Sequence, residues 1–248
     1  MNEALIQMFL PPIQALRRYH RHEVKGMERV PSEGRALLVV THSLATYDIL
    51  LLFHSVLEEK GRTPRPLVDR LFYKIPLMDK FIEATGGTQG SPQGAESLLN
   101  DDQLVAVAPG GMREALRPSS ERYQILWDKR LGFVKLAIRT RTPIILAVCP
   151  KADDLYDVYS NPITAWAYRK LKIPLFFARG VGPTGIPRPV KLTHFLSKPI
   201  MPPDISEDDP DFRKKVAKFH EQLVKQTRLL IGDAVAYRPA HLSQSSED

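Results

Sequence analysis

The chain has one cysteine, Cys149, in 248 residues. No intramolecular disulfide can form, which excludes a disulfide-stapled scaffold and fits a reducing compartment. With no cysteine pair there is no zinc module, and His20 and His22 are too few ligands to make one. No apolar run approaches the roughly 20 residues that a membrane-spanning helix needs. The first apolar stretch is followed, not preceded, by positive charge, so it lacks the layout of a signal peptide. There is no G-x-S-x-G elbow and no Walker loop, so neither serine-hydrolase nor P-loop chemistry has support. The G-x-G-x-x-G match at Gly180 to Gly185 contains Pro183 and is followed by Pro187 and Pro189. Those prolines forbid the helix that a dinucleotide fingerprint requires, and the stretch reads as a hairpin loop.

The chain does have an ordinary globular composition, 43% hydrophobic and 25% charged, and the length of one α/β domain. Its net charge of +7 suggests a polyanionic partner: a membrane surface, nucleic acid or a phosphorylated substrate. The basic residues are dispersed and no nucleic-acid-binding motif accompanies them, so the membrane surface, and anionic lipid in particular, is the better reading. Leu5, Ile6, Met8, Phe9, Leu10, Ile13 and Leu16 precede Arg17, Arg18 and Arg21. Residues 1–22 therefore read as an amphipathic segment for a membrane interface, with a helix packed on the domain as the alternative. Pro11-Pro12 should break or bend it. Residues 23–235 form the main domain, and 236–248 read as a disordered polar tail.

Two short branched runs, Leu37 to Val40 and Leu104 to Ala108, read as buried strands, as does Pro143 to Pro150. Helical spacing follows Asp48 to about Lys60, recurs in the stretch RLGFVKLAIRT, and appears again from about Asp211 to Ile231. Ser91-Pro92 is a helix start, with serine as N-cap. LFYKIPLMDKFIEA is a helix broken by Pro76. PLV, PLFFAR and PVKLTHFL read as further strands, and residues 153–173 as a helical or loop insertion carrying Trp166 and Tyr168. Strands alternating with helices predict a single α/β domain with a largely parallel or mixed sheet.

Ligands of such sheets bind beyond the carboxyl ends of the strands. Thr41, His42 and Ser43 lie at such an end, and Asp48 follows within one or two helical turns. A carboxylate near an imidazole can fix its tautomer and stabilise the imidazolium, making His42 a competent general base. The structural alternative is that Thr41, Ser43 and Thr46 cap a helix and Asp48 answers its dipole. A second strand ends in Pro109-Gly110-Gly111-Met112-Arg113-Glu114. Two glycines allow a tight turn and close backbone approach to a ligand, and Arg113 suits phosphate or carboxylate oxygens. A plain turn with a surface arginine is the alternative. Cys149 sits in an apolar run and reads as core. Asp153, Asp154 and Asp157 read as a solvated turn in preference to a metal site.

GMERVPSEGRALLVVTHSLATYD, LFYKIP, VAPGGMREAL and TPIILAVCP, taken in order, resemble the blocks of the glycerolipid acyltransferase superfamily, the PlsC-like lysophospholipid acyltransferases. The resemblance spans about Glu23 to Pro203. It implies a PlsC-like fold with helices flanking the sheet. It also implies transfer of an acyl group from acyl-CoA or acyl carrier protein to a lipid hydroxyl, with no cofactor and no metal. In that family a His and an Asp separated by four residues form the first block; here they map onto His42 and Asp48, with five between. The resemblance implies that His42 takes the proton of the acceptor hydroxyl and Asp48 orients it. Gly110, Gly111, Arg113 and Glu114 would then contact substrate, with backbone N–H groups of the glycines on the oxyanion, and Arg70 and Lys74 would help to hold phosphate. The family's Pro-Glu-Gly-Thr-Arg block is Pro-Gly-Gly-Met-Arg here, resembling the mono- and diacylglycerol acyltransferase branch. The arginine of the second block is missing from Gly86-Gly87-Thr88-Gln89-Gly90. Both departures favour a neutral acceptor over lysophosphatidate. A catalytically silent lipid- or acyl-CoA-binding protein is the reading from another class.

Overall fold

Alternation within the five apolar residues Ala36–Val40 sets the architecture. All five are buried, yet successive side chains of a strand face opposite ways. Ala36, Leu38 and Val40 pack with Ile49, Leu52 and Val56 on one side of the sheet. Leu37 and Val39 pack on the other side with Leu99, Phe133, Leu136, Val216 and Phe219. A strand buried on both faces needs helices on both faces, and the result is a three-layer α/β/α domain.

The computed structural model describes residues 3–44, 47–159 and 177–237. Thr46, Trp166, Tyr168 and the tail beyond Tyr237 lie outside the described residues. The strands are β1 (Glu23–Lys25), β2 (Ala36–Val40), β3 (Arg65–Val68), β4 (Thr88–Gln89), β5 (Leu104–Val107), β6 (Ile144–Val148), β7 (Asp157–Tyr159), β8 (Phe177–Arg179) and β9 (Thr193–Leu196). Seven of them form one sheet in the order β1-β9-β6-β2-β5-β3-β4, and β7 and β8 pair separately. β6, β2, β5, β3 and β4 are mutually parallel. β9 runs antiparallel to β6, and β1 is parallel to β9. The sheet is therefore mixed, as the sequence led one to expect.

The helices are α1 (Glu3–Tyr19), α2 (Tyr47–Lys60), α3 (Met78–Ala84), α4 (Pro92–Asn100), α5 (Gly111–Ala115), α6 (Gly132–Thr140) and α7 (Phe212–Ala236). Ser91 caps α4, its hydroxyl accepting from Gly94 N at 3.1 Å. A short 3₁₀ turn at Phe72–Lys74 precedes α3, with Pro76 in the break between them. The next element after the loop at Gly180 is a strand, β9, and not a helix; Gly180 N donates to Thr184 O at 2.7 Å and closes a tight turn.

α1 departs from expectation. It runs through Pro11 and Pro12 without interruption. Both prolines are exposed, so water can reach the carbonyls that lose their N–H partners. Its second half belongs to the domain. Ile13 and Leu16 pack against the cluster of Leu51, Cys149, Leu155 and Leu192, and Arg17 donates to His54 Nδ1 at 2.9 Å. His20 Nδ1 donates to Val190 O at 2.9 Å, and its Nε2 accepts from the Tyr47 hydroxyl at 2.8 Å.

Candidate active site

Three parallel neighbours, β5, β2 and β6, deliver their C-terminal residues to one edge of the sheet. Thr41 N still bonds Ala147 O at 3.1 Å, and His42 is the first residue beyond that ladder. Its backbone is held from both sides. Its N–H donates to Glu114 Oε2 at 3.0 Å, and its carbonyl accepts from the Arg117 guanidinium. Glu114 is fully buried and Arg117 only 6% exposed. The other Glu114 oxygen accepts from Leu126 N at 3.2 Å. Arg117 Nε donates to Glu114 O at 3.1 Å, and its guanidinium lies 3.4 Å from the Asp153 carboxylate. Burial raises the carboxyl pKa of Glu114, against the pull of the Arg117 charge.

This clamp explains the adjacent glycines. A Cβ on Gly110 would stand 2.2 Å from Glu114 Oε2, so only glycine lets the carboxylate pass over the turn to His42. Gly111 has φ +49 and faces Arg130, which donates to Pro109 O at 2.7 Å. Its N–H is already donated to Ala108 O at 3.0 Å. The turn itself uses that N–H. Glu114, expected against substrate, stands behind the site with both oxygens engaged by backbone.

His42 and Asp48 line one small cavity with Thr41, Ser43, Arg117, Tyr123, Cys149 and Asp153, of about 10 Å³. That is room for about one water. The His42 Nδ1 lies 3.3 Å from Ser43 O. An Nδ1–H satisfies that contact and leaves the lone pair on Nε2. Burial lowers the imidazole pKa to about 4, with the Arg117 charge acting in the same sense and the Ser43 carbonyl opposing. The ring is neutral at physiological pH. Asp48 is 2% exposed. Burial raises its pKa to about 7, with the Ser43 hydroxyl opposing and the Asp153 charge adding to the rise. Ser43 Oγ donates to Asp48 Oδ1, and Asp48 Oδ2 lies 3.7 Å from His194 Nε2. So the residue at the family's four-residue spacing from the acid is Ser43, and its hydroxyl meets the carboxylate.

Sequence reasoning singled out neither His194 nor Arg117, and it read Ser43 as a helix cap in the structural alternative, not as a partner of Asp48. Arg117 had a local signal, three residues after Glu114. His194 had none, because an antiparallel strand brings it to this edge. Asp48, Cys149 and His194 place ligand-type atoms within 4.8 Å of one another, the one such group among the described residues. The Cys149 thiol is pushed well up by burial and stays protonated, and Asp48 is engaged by Ser43. The group satisfies its own polar atoms, and Cys149 is core, as its apolar run suggested.

Arg113 pairs with Glu121 at 2.8 and 3.0 Å on the surface beside the site. Arg70 and Lys74 are exposed and follow β3, on the same edge as His42. Asp153, Asp154 and Asp157 do not form a solvated turn. Asp153 accepts from Tyr123 N at 2.8 Å, Asp154 accepts from the Tyr123 hydroxyl at 2.6 Å, and Asp157 pairs with Arg122, Arg179 and Arg188.

A family model described as "Acyltransferase" matches residues 21–149. The chain belongs to the acyltransferase family. The matched span of this acyltransferase domain carries β1 to β6, His42, Asp48 and the Gly110-Gly111 turn. Relatives described as "DGAT1/2-independent enzyme synthesizing storage lipids" are 33% identical in Bos taurus and 34% in Mus musculus, each over 183 residues, 73% of this chain. The chain spans about half the length of these relatives, 53% of each. A crystal structure of the 1-acyl-sn-glycerophosphate (LPA) acyltransferase PlsC from Thermotoga maritima aligns with a TM-score of 0.45 and 15% identity, over 86% of this chain and 79% of that one.

The clamp has a measurable cost of removal. Glu114→Gln forces an amide NH₂ against the N–H of His42 or of Leu126, so it should lower unfolding stability by about 1–3 kcal/mol. Arg113→Gln, which removes a surface ion pair, should cost less than about 1 kcal/mol. Urea unfolding of both variants checks this, and equal losses would contradict the clamp.

Proposed function

We propose that the chain is an O-acyltransferase. It moves a fatty acyl group from the thioester of acyl-CoA or acyl carrier protein to a hydroxyl of a neutral glycerolipid such as mono- or diacylglycerol, at a membrane surface. The observation that carries this is a neutral His42 at the end of β2, fixed through its backbone and sharing a cavity with Asp48. His42 Nε2 takes the hydroxyl proton as the oxygen attacks the thioester carbonyl. The tetrahedral intermediate then expels the thiolate, which receives that proton from the imidazolium. Asp48 stabilises the imidazolium, and Arg117, the cation of the cavity, stabilises the developing oxyanion. No metal or redox group is needed for these steps. The cavity beside His42 has to widen before two lipid-sized substrates enter. The storage-lipid synthesis for which the relatives are named agrees with a neutral acceptor.

An exposed apolar patch supports the membrane surface. Leu77, held at φ +67, is 72% exposed, and Met8 is 61% exposed. Ile75 and Phe81 are exposed as well, and Phe81 meets Phe9 of α1 edge-on at 5.6 Å. Arg70, Lys74 and Lys80 are exposed in the same stretch. Apolar side chains with a basic margin suit anionic lipid.

Labelled long-chain acyl-CoA, offered with monoacylglycerol, diacylglycerol and lysophosphatidate in mixed micelles, should label only the neutral products. His42→Ala should remove about 10²–10⁴-fold of the rate while keeping the fold. Label in phosphatidate would favour lysophosphatidate as acceptor. Acyl-CoA binding without turnover, also with carrier-protein donors, would favour the silent binding protein. A pH profile separates the two titrating groups. His42 is neutral above about pH 4, so it does not set the acid limb. Asp48 loses its charge as pH falls through about 7. The rate should therefore fall below about pH 7, and a limb near pH 4 would remove Asp48 from the step. Leu77→Asp with Phe81→Asp should abolish co-sedimentation with vesicles containing anionic lipid, and undiminished binding would place the membrane contact elsewhere.

A further inference from the structure

Behind Asp48 stands a pair of buried histidines that the proposed chemistry does not yet use. His194 is 2% exposed and His22 9%. His22 Nε2 and His194 Nδ1 are 2.8 Å apart, and the rings meet edge-on, centroids 5.1 Å apart. The far nitrogen of His194, Nε2, faces Asp48 Oδ2 at 3.7 Å. The topology makes this arrangement. β9 runs antiparallel to β6, with Val148 opposite Phe195, so its first residues lie at the edge where β2 and β6 end. β1 pairs in parallel with β9, Val24 opposite His194, which brings His22 alongside.

The direction of the two N–H groups follows from which atoms have partners. Burial keeps both rings neutral: the pKa of His22 is lowered to about 3 and that of His194 well below its usual value. Each ring then carries one N–H and one lone pair. If His194 donated to His22, its Nε2 lone pair would face the Asp48 carboxylate, and His22 Nδ1 would carry a buried N–H. That Nδ1 has no hydrogen-bond partner among the described residues. A buried unpaired donor and two facing acceptors are both costly. In the reverse arrangement His22 Nε2–H donates to His194 Nδ1, and His194 Nε2–H faces Asp48. The orphaned atom is then only a lone pair.

We propose that His194, held in its Nε2–H tautomer by His22, is a positioning residue that keeps Asp48 ionised and oriented for His42. This rests on the acyltransferase reading above. Asp48 thus has two side-chain donors facing it, the Ser43 hydroxyl on one oxygen and the His194 N–H toward the other, beside the backbone N–H groups of Asp48 itself and of Ile49. The remaining titratable or charged groups around it are His42 at the end of β2, Tyr47 on its own helix, Cys149 and Asp153 after β6, and Arg117 and Tyr123 across the cavity. Cys149, Tyr47 and Asp153 disfavour a second negative charge, so the donors decide whether Asp48 is charged near neutral pH.

The tautomers are read directly by long-range ¹H–¹⁵N spectra of the full chain labelled at histidine, with His22 and His194 assigned by substitution. Both should stay neutral and protonated at Nε2 from pH 5 to 8. A protonated Nδ1 on either, or an imidazolium, would overturn the proposal whether or not transfer has been detected. Kinetics supply the second reading. His194→Phe should lower kcat about tenfold with KM little changed, and move the acid limb up by about one pH unit. His194→Gln, whose amide keeps a donor near the Nε2 position, should restore both. A folded His194→Phe with an unmoved limb, or a His194→Gln as impaired as His194→Phe, would overturn it. Should His194→Phe fail to fold, the tautomers in the unaltered chain still decide. A chain without any transferase activity but with the expected tautomers would fault the acyltransferase reading and leave the histidine arrangement standing.

Discussion

The Glu114–Arg117 pair gripping the backbone of His42 is the contact on which the site depends. A buried ion pair is by itself weak support for stability, because taking both charges out of water costs as much as their attraction returns. Here the charges are also satisfied by main-chain groups, Glu114 by the N–H of His42 and of Leu126 and Arg117 by the carbonyls of His42, Gln124 and Glu114. The pair therefore joins the ends of β2 and β5 and the segment after α5 into one rigid edge. Its geometry also dictates sequence: Gly110 lacks a side chain so that Glu114 can cross it. The Gly-Gly turn shapes the site chiefly by what it lets pass.

Local features were legible in the sequence. The apolar runs of β2, β5 and β6 are short, branched and bounded by turn residues, and they are the central strands. Ser91-Pro92 caps a helix, and Pro76 separates a 3₁₀ turn from α3. His42, Asp48 and the Gly110-Gly111 turn could be placed on one edge because parallel strands deliver their C-terminal ends together. Non-local pairing was not legible. The reversal of β9 puts His194 beside Asp48, 146 positions away, without any signal at either site. The acids after β6 looked solvated because a single sequence does not show Arg122, Arg179 and Arg188 converging on Asp157.

The extra residue between His42 and Asp48 has a structural consequence of the same kind. Ser43, at the spacing the family gives to its histidine, takes the hydrogen bond to Asp48. The acid is thus fixed to the loop that carries His42. α1 divides similarly between two roles. Ile13 to His20 are bound into the domain, while Met8 and Phe9 join Leu77 and Phe81 at the surface. A helix anchored at one end can leave the other at the surface without loosening the site.

The central claim is direct attack of a lipid hydroxyl, with His42 as base, on a thioester. The measurement that tests it most directly is thiol release from long-chain acyl-CoA in a rapid-mixing experiment, with and without monoacylglycerol. The account expects release only when acceptor is present, one thiol for each ester formed. A burst of thiol without acceptor, with the acyl group left on the protein, would contradict it and assign the chemistry to a covalent intermediate.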